Sequence, residues 1–170
     1  KRNLETYLTQ VPEGRAALMV TFHLNSFTNF KQLLEYVLYL RQTYNNGVNR
    51  IGLDMPYLLE PDHLTAFLAP VSYIQYLEEC LEFMRANPMD ENGIGFSDID
   101  LNGLTRLHNW VKGKMKTEPL ETRNKNRAQF YIFAEEHDKR RQTAFVDSFP
   151  EMQDFYAECK KQAYLLYGVE

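Results

Sequence analysis

An α/β class built on a parallel strand pair is predicted by three observations. Two short runs alternate apolar and polar residues, one run of helical period lies between them, and only helical periodicity follows Pro88. The first alternating run, residues 18–25, sets Val20, Phe22 and Leu24 against Thr21, His23 and Asn25 and reads as a strand. Asn25, Ser26, Thr28 and Asn29 then offer N-caps for a helix near residues 29–44, where Phe30, Leu33, Leu34, Val37, Leu40 and Tyr44 repeat at helical spacing until Asn45-Asn46-Gly47 stops them. Residues 50–56 alternate again, Ile51, Leu53 and Met55 on one face and Gly52 and Asp54 on the other, and predict the second strand.

Pro56 and Pro61 block continuation, so residues 57–70 are expected to loop across the end of that strand. Ser72 with Gln75 reads as a capping box for a helix to about Arg85, ended by Asn87-Pro88. Ser97 and Asp100 cap a helix to about Met115 with Leu101, Leu104, His108 and Val111 inward, despite Gly103, which costs about 1 kcal/mol relative to Ala. Residues 124–138 form a further helix around Phe130, Phe133 and Ala134. Ser148-Phe-Pro-Glu151 reads as a capping box before a final helix carrying Met152, Phe155, Tyr156, Cys159 and Leu166, with Gly168 as its stop. The order strand, helix, strand, helix is a right-handed parallel βαβα unit by default. The prediction is a partial (β/α) barrel segment over residues 1–88 followed by a helical extension over residues 89–170, packed as one compact unit.

Composition agrees with that picture and removes several function classes. The chain has 170 residues, 44% hydrophobic, 25% charged and 14% aromatic, enough apolar area for a core and too much for a disordered chain. A net charge of −4 argues against a protein that coats nucleic acid, and no run approaches the roughly 20 apolar residues of a membrane span. Cys80 and Cys159 lie far apart in helical contexts, as buried free thiols would, and with no sequon or signal peptide this points to the reducing cytoplasm. The chain starts at Lys1 and not Met, so it is expected to be a piece of something longer.

A parallel sheet is normally covered on both faces, yet here one face of each strand is polar: Thr21, His23 and Asn25 on the first, Gly52 and Asp54 on the second. Either a lumen beyond that face holds a polar ligand, or the residues are simply solvated on an open sheet. Asp54 carries most weight, because a carboxylate buried without a partner is strongly unfavourable.

Several segments resemble one family. Val-Thr-Phe-His-Leu-Asn25, Asn29-Phe-Lys-Gln-Leu-Leu34 leading to Leu40-Arg41, Gly52-Leu-Asp-Met-Pro-Tyr57, Glu60-Pro61 and Leu68-Ala-Pro70 look like the later strands of radical S-adenosylmethionine enzymes. The tail Glu136-His-Asp-Lys-Arg-Arg-Gln-Thr-Ala-Phe145 with Phe149-Pro-Glu151 and Phe155-Tyr156 is similar to the carboxyl-terminal part of the twitch-domain-containing subgroup. The resemblance spans roughly residues 15–160. It implies S-adenosylmethionine and a [4Fe–4S] cluster as cofactors of the whole protein, a substrate of unknown identity, small molecule or peptide, and an electron donor as partner. His23 and Asn25 would face the ribose or methionine part of the cofactor, Thr21 would line the same lumen, and Gly52 and Asp54 would touch adenosine or substrate. The Cys-x-x-x-Cys-x-x-Cys motif that holds the cluster is absent, so the cluster half lies upstream of Lys1 or the chain is a degenerate relative lacking it, and this chain alone initiates no radical.

Other constellations read as structural. His23, His63, His108 and His137 lack metal-ligand spacing; His108 on an apolar helix face reads as a hydrogen-bonded core residue, and His137-Asp138 as a capping or ion-pairing element. Gly93-Ile-Gly95 lacks the rest of a dinucleotide fingerprint. Residues 106–127 hold seven basic against two acidic residues, a local excess of +5. They support a competing class: a non-catalytic binding module docking RNA or an acidic partner through that segment.

Overall fold

The computed structural model describes residues 1–169. Helix α1 (Arg2–Gln10) precedes strand β1 (Ala16–Met19), helix α2 (Phe30–Thr43) and strand β2 (Ile51–Asp54). The strands pair in parallel, Ala16 beside Ile51 through Met19 beside Asp54, and pairing reaches further through Val20 N–H to Asp54 O (2.8 Å), Phe22 N–H to Pro56 O (2.7 Å) and Leu58 N–H to Phe22 O (2.9 Å). The βαβ expectation therefore holds as a two-stranded parallel sheet joined by one helix. Strand β1 starts two residues before the alternating run. Its extended path ends at His23, where a 3₁₀ turn (Leu24–Ser26) takes over, because the side chains of His23 and Ser26 bond the backbone reciprocally and compete with further pairing.

Helices α3 (Ile74–Ala86), α4 (Asp98–Thr117), α5 (Leu120–Arg141), α6 (Phe145–Ser148) and α7 (Gln153–Tyr167) complete the chain. The Ser97/Asp100 capping box forms as read, and Gly168, with φ of +67°, ends α7. Two other boxes do not form. The 3₁₀ turns Val71–Tyr73 and Pro150–Met152 occupy those places, each set off by a proline that fixes φ at the start of the turn. Helix α1 and the short α6 lie outside the periodic runs, and Leu166 is exposed rather than inward.

The core is continuous from one half of the chain to the other. Phe22 packs edge-on against Phe27 and Phe30, both at 5.0 Å, so the strand end, the 3₁₀ turn and the start of α2 share one aromatic cluster. Leu34, Val37 and Leu40 of α2, Leu77 and Met84 of α3, and Leu104 and Val111 of α4 are almost fully buried. Phe130 of α5 meets Phe155 of α7 at 5.6 Å and Phe145 of α6 at 5.4 Å, which ties the three carboxyl-terminal helices to one another.

Two buried arginines tie the layers together. Arg41 on α2 donates to Ile51 O (3.0 and 2.8 Å), Gly95 O (2.7 Å) and Asp100 (2.8 and 3.4 Å), so one guanidinium joins β2, the loop before α4 and the first turn of α4. Arg50 donates to the carbonyls of Leu8, Val11, Gly14 and Tyr44 with no carboxylate among them. It joins the last turn of α1, the following loop and the end of α2; carbonyls at helix ends lack intrahelical partners and carry partial negative charge.

Among the described residues no helix is long and apolar enough to cross a membrane.

Candidate functional site

A cleft of about 700 Å³ opens beyond the carboxyl end of β1. Its floor is Thr21, His23 and Asn25, which the short extended stretch and the 3₁₀ turn bring side by side. Leu58 and Leu64, from the segment after β2, close one flank. The opposite wall is the last two turns of α5 and the α5–α6 elbow, with Phe133, His137, Arg141 and Phe149 prominent. The volume suits a ligand of nucleoside size.

The floor is rigid for a local reason. His23 Nδ1 accepts the Asn25 N–H at 3.3 Å, while Ser26 Oγ accepts the His23 N–H at 3.1 Å. The nitrogen that accepts carries no proton, so the neutral ring keeps its proton on Nε2. Burial holds the His23 imidazole below its ordinary value of 6.5, since charging it would cost solvation. His23 is thus a neutral N–H donor at neutral pH, and not a ready base. Asn25 Oδ1 is buried with no donor.

The elbow is built by Asp138. One of its carboxylate oxygens accepts the Thr143 hydroxyl (2.8 Å), the other accepts the Phe145 N–H (2.5 Å), and its backbone carbonyl accepts the Thr143 N–H (3.1 Å). Gln142 sits in the left-handed region, φ +56°, to let the chain reverse. Asp138 therefore caps the first turn of α6 from the preceding helix, which agrees with the capping role read for His137-Asp138; His137 Nδ1 stands 3.6 Å away.

Three of the five sequence-derived site residues meet in the cleft and two do not. Gly52 and Asp54 are exposed on the open face of the sheet and do not line the cleft. The register explains it: Met19 lies beside Asp54, so Thr21, two residues further on, shares that face, but the roof of α5 and α6 begins only past the end of β2. Met19 is 74% exposed on the same face. The inference from a buried Asp54 is thereby corrected, because a carboxylate in water requires no compensating ligand.

The remaining histidines behave as expected or contribute elsewhere. His108 is buried and bonded to Asn109 (3.1 Å) and Glu78 (3.4 Å). His63 packs on Phe133 at 5.1 Å behind the cleft wall, and burial lowers its pKa. Among the described residues no three His, Cys, Asp or Glu side chains group as metal ligands. Cys80 and Cys159 are both buried, and desolvation pushes the Cys80 thiol up to about 12.

The basic segment is broken up by the fold. Lys112 pairs with Glu78 (3.1 Å), Arg123 donates to the carbonyl of Met115 at the end of α4, and Arg127 donates to Leu68 O (2.9 Å) while stacking on Phe155. Three of its seven cations thus serve protein contacts, while Arg106, Lys114, Lys116 and Lys125 are exposed.

The wall of the cleft was beyond sequence reasoning, since His137 and Arg141 lie more than a hundred residues from the floor. The tail motif from Glu136 to Phe145 was the signal that could have located it. Comparison with known protein families, curated proteins and solved structures finds no match for this chain.

Proposed function

We propose that this chain is the carboxyl-terminal segment of a cytoplasmic radical S-adenosylmethionine enzyme, and that its cleft forms part of the lumen for cofactor and substrate. One observation supports this reading above the rest: the polar residues Thr21, His23 and Asn25 converge on a nucleoside-sized cleft past the carboxyl end of a parallel strand, where α/β sheets and barrels bind ligands. The strand pair would then be an arc of a partial barrel, with its open face turned to the lumen.

The two cofactors fare differently against the residues present. S-adenosylmethionine fits the floor: the His23 Nε2–H can donate to a ribose oxygen, and Asn25 Oδ1 lacks the donor that a ribose hydroxyl would supply. The [4Fe–4S] cluster does not fit, because it needs three clustered thiolates and the two cysteines are buried in separate helices. When bound and reductively cleaved, S-adenosylmethionine supplies a 5′-deoxyadenosyl radical that abstracts hydrogen. The role of this chain is to bind and orient: His23 fixed by its turn, Asn25 beside it, and the Phe133 and Phe149 rings excluding water.

The test is calorimetric titration of S-adenosylmethionine into the 170-residue chain. Binding is expected, weakened about tenfold in Asn25→Ala, with Asp54→Ala unchanged because it lies outside the cleft. No binding, or equal losses in both variants, overturns the assignment. A Cys-x-x-x-Cys-x-x-Cys motif in the reading frame preceding Lys1 would bear on the class directly.

A further inference from the structure

The free polar groups of the cleft define the charge of what it holds, an inference that rests on the cleft being a ligand site. Asp138 is the carboxylate in the lining, and both of its oxygens are engaged by the Thr143 hydroxyl and the Phe145 N–H. His23 has Nδ1 engaged and a proton to donate from Nε2. Arg141 lines the cleft with no carboxylate partner among the described residues, whereas its neighbour Arg140 stands 3.8 Å from Glu136. The Asp138 carboxylate is turned to the donors of the elbow, whereas a carboxylate or phosphate on a ligand finds an unpaired guanidinium and an N–H donor. The remaining wall is largely aromatic, with Phe133 44% exposed and Phe149 half-buried.

We infer that the cleft binds a planar small molecule bearing a carboxylate or a phosphate, its ring against Phe133 and Phe149 and its anionic group on Arg141. The aromatic faces supply affinity for a ring of any substitution, because stacking and burial are tolerant of hydrogen-bond pattern. The guanidinium supplies the selection for an anion, and its fork donates two parallel bonds to either group. Because Arg141 is exposed, water and salt screen the pair, and the selection amounts to about tenfold, not thousandfold.

Three probes with one ring and different 5′ groups test this: adenosine, adenosine 5′-monophosphate and adenosine-5′-carboxylic acid, each titrated into the folded chain and followed by amide chemical shifts of Thr21, His23 and Asn25. At least one anion is expected to bind about tenfold more tightly than adenosine. The comparison between the two anions separates phosphate from carboxylate. In Arg141→Gln the advantage is expected to vanish while adenosine binds as before, and circular dichroism should show an unchanged fold, since the side chain is exposed. Adenosine binding with no anion advantage, or an advantage that survives Arg141→Gln, overturns the inference and leaves the ligand site standing. Failure of all three probes to shift the floor residues overturns the ligand site as well.

Discussion

Replacing Arg41 with alanine should be among the most damaging single changes in this protein. The side chain is 1% exposed, and its removal deletes five hydrogen bonds, orphaning the Ile51 and Gly95 carbonyls and leaving the Asp100 carboxylate buried without its cation. Breaking a buried ion pair from one side costs about 3–5 kcal/mol. Asp100 keeps the Ser97 N–H and hydroxyl at 2.9 Å each, which places the expected loss near the middle, about 4 kcal/mol. Against a total of about 5–15 kcal/mol for a native domain, that is a large share. With a urea slope of about 2 kcal/mol per molar, the unfolding midpoint should fall by about 2 M. Trp110, the single tryptophan, stacks on Tyr57 at 4.2 Å just past β2, so its fluorescence reports on the region that Arg41 holds. Arg41→Lys keeps a charge without the fork and should lose about half as much. Asp100→Asn should cost about 3 kcal/mol, and the double variant Arg41→Ala/Asp100→Asn should cost little more than Arg41→Ala alone, because the second change removes a charge already deprived of its partner. Strict additivity, or a loss below about 1 kcal/mol for Arg41→Ala, would refute the assignment of the pair as the joint between sheet and helices.

Three further outcomes are expected. Asp138→Ala removes the acceptor of both the Thr143 hydroxyl and the Phe145 N–H, so it should cost about 1–2 kcal/mol in urea unfolding, with Asp138→Asn losing less because one acceptor remains. The folded-state pKa of His23 is lowered, so its contribution is full above the unfolded value of 6.5 and declines as the pH falls below it. The urea midpoint should therefore drop between pH 7.5 and 5.5, and His23→Gln should flatten that slope; an unchanged slope would sink the assignment. Gly95 has φ of +110°, and a Cβ there would collide with the Pro88 carbonyl, so Gly95→Ala should destabilise by about 3 kcal/mol in thermal unfolding.

Local signals were the legible part of this chain. The stripe of α2 and the Ser97/Asp100 box depend on residues within one or two turns, and both appear where their spacing puts them. The same locality misleads where two local solutions compete. Ser72 and Ser148 have the spacing of capping residues, yet the prolines at 70 and 150 begin 3₁₀ turns instead. Charge partners were illegible because they are distant: Arg41 and Asp100 stand 59 positions apart, and Arg50 has only backbone oxygens as acceptors, which no residue pattern encodes. At the site, alternation placed Thr21 and His23 on the correct face but carried no information on where a roof begins. That depends on contacts between α5 and the segment after β2, Arg127 to Leu68 O and Phe133 against His63, between residues 59 and 70 positions apart.

Arg50 has a consequence for how the molecule opens. One cation shared by four carbonyls, from Leu8 at the end of α1 to Tyr44 at the end of α2, cannot release any one of them without reorienting toward the rest. The amino-terminal helix should therefore not fray as an independent arm. Its amides near Leu8 and those at the end of α2 should exchange with deuterium at a common rate, and a single lysine in place of Arg50 should split that rate in two.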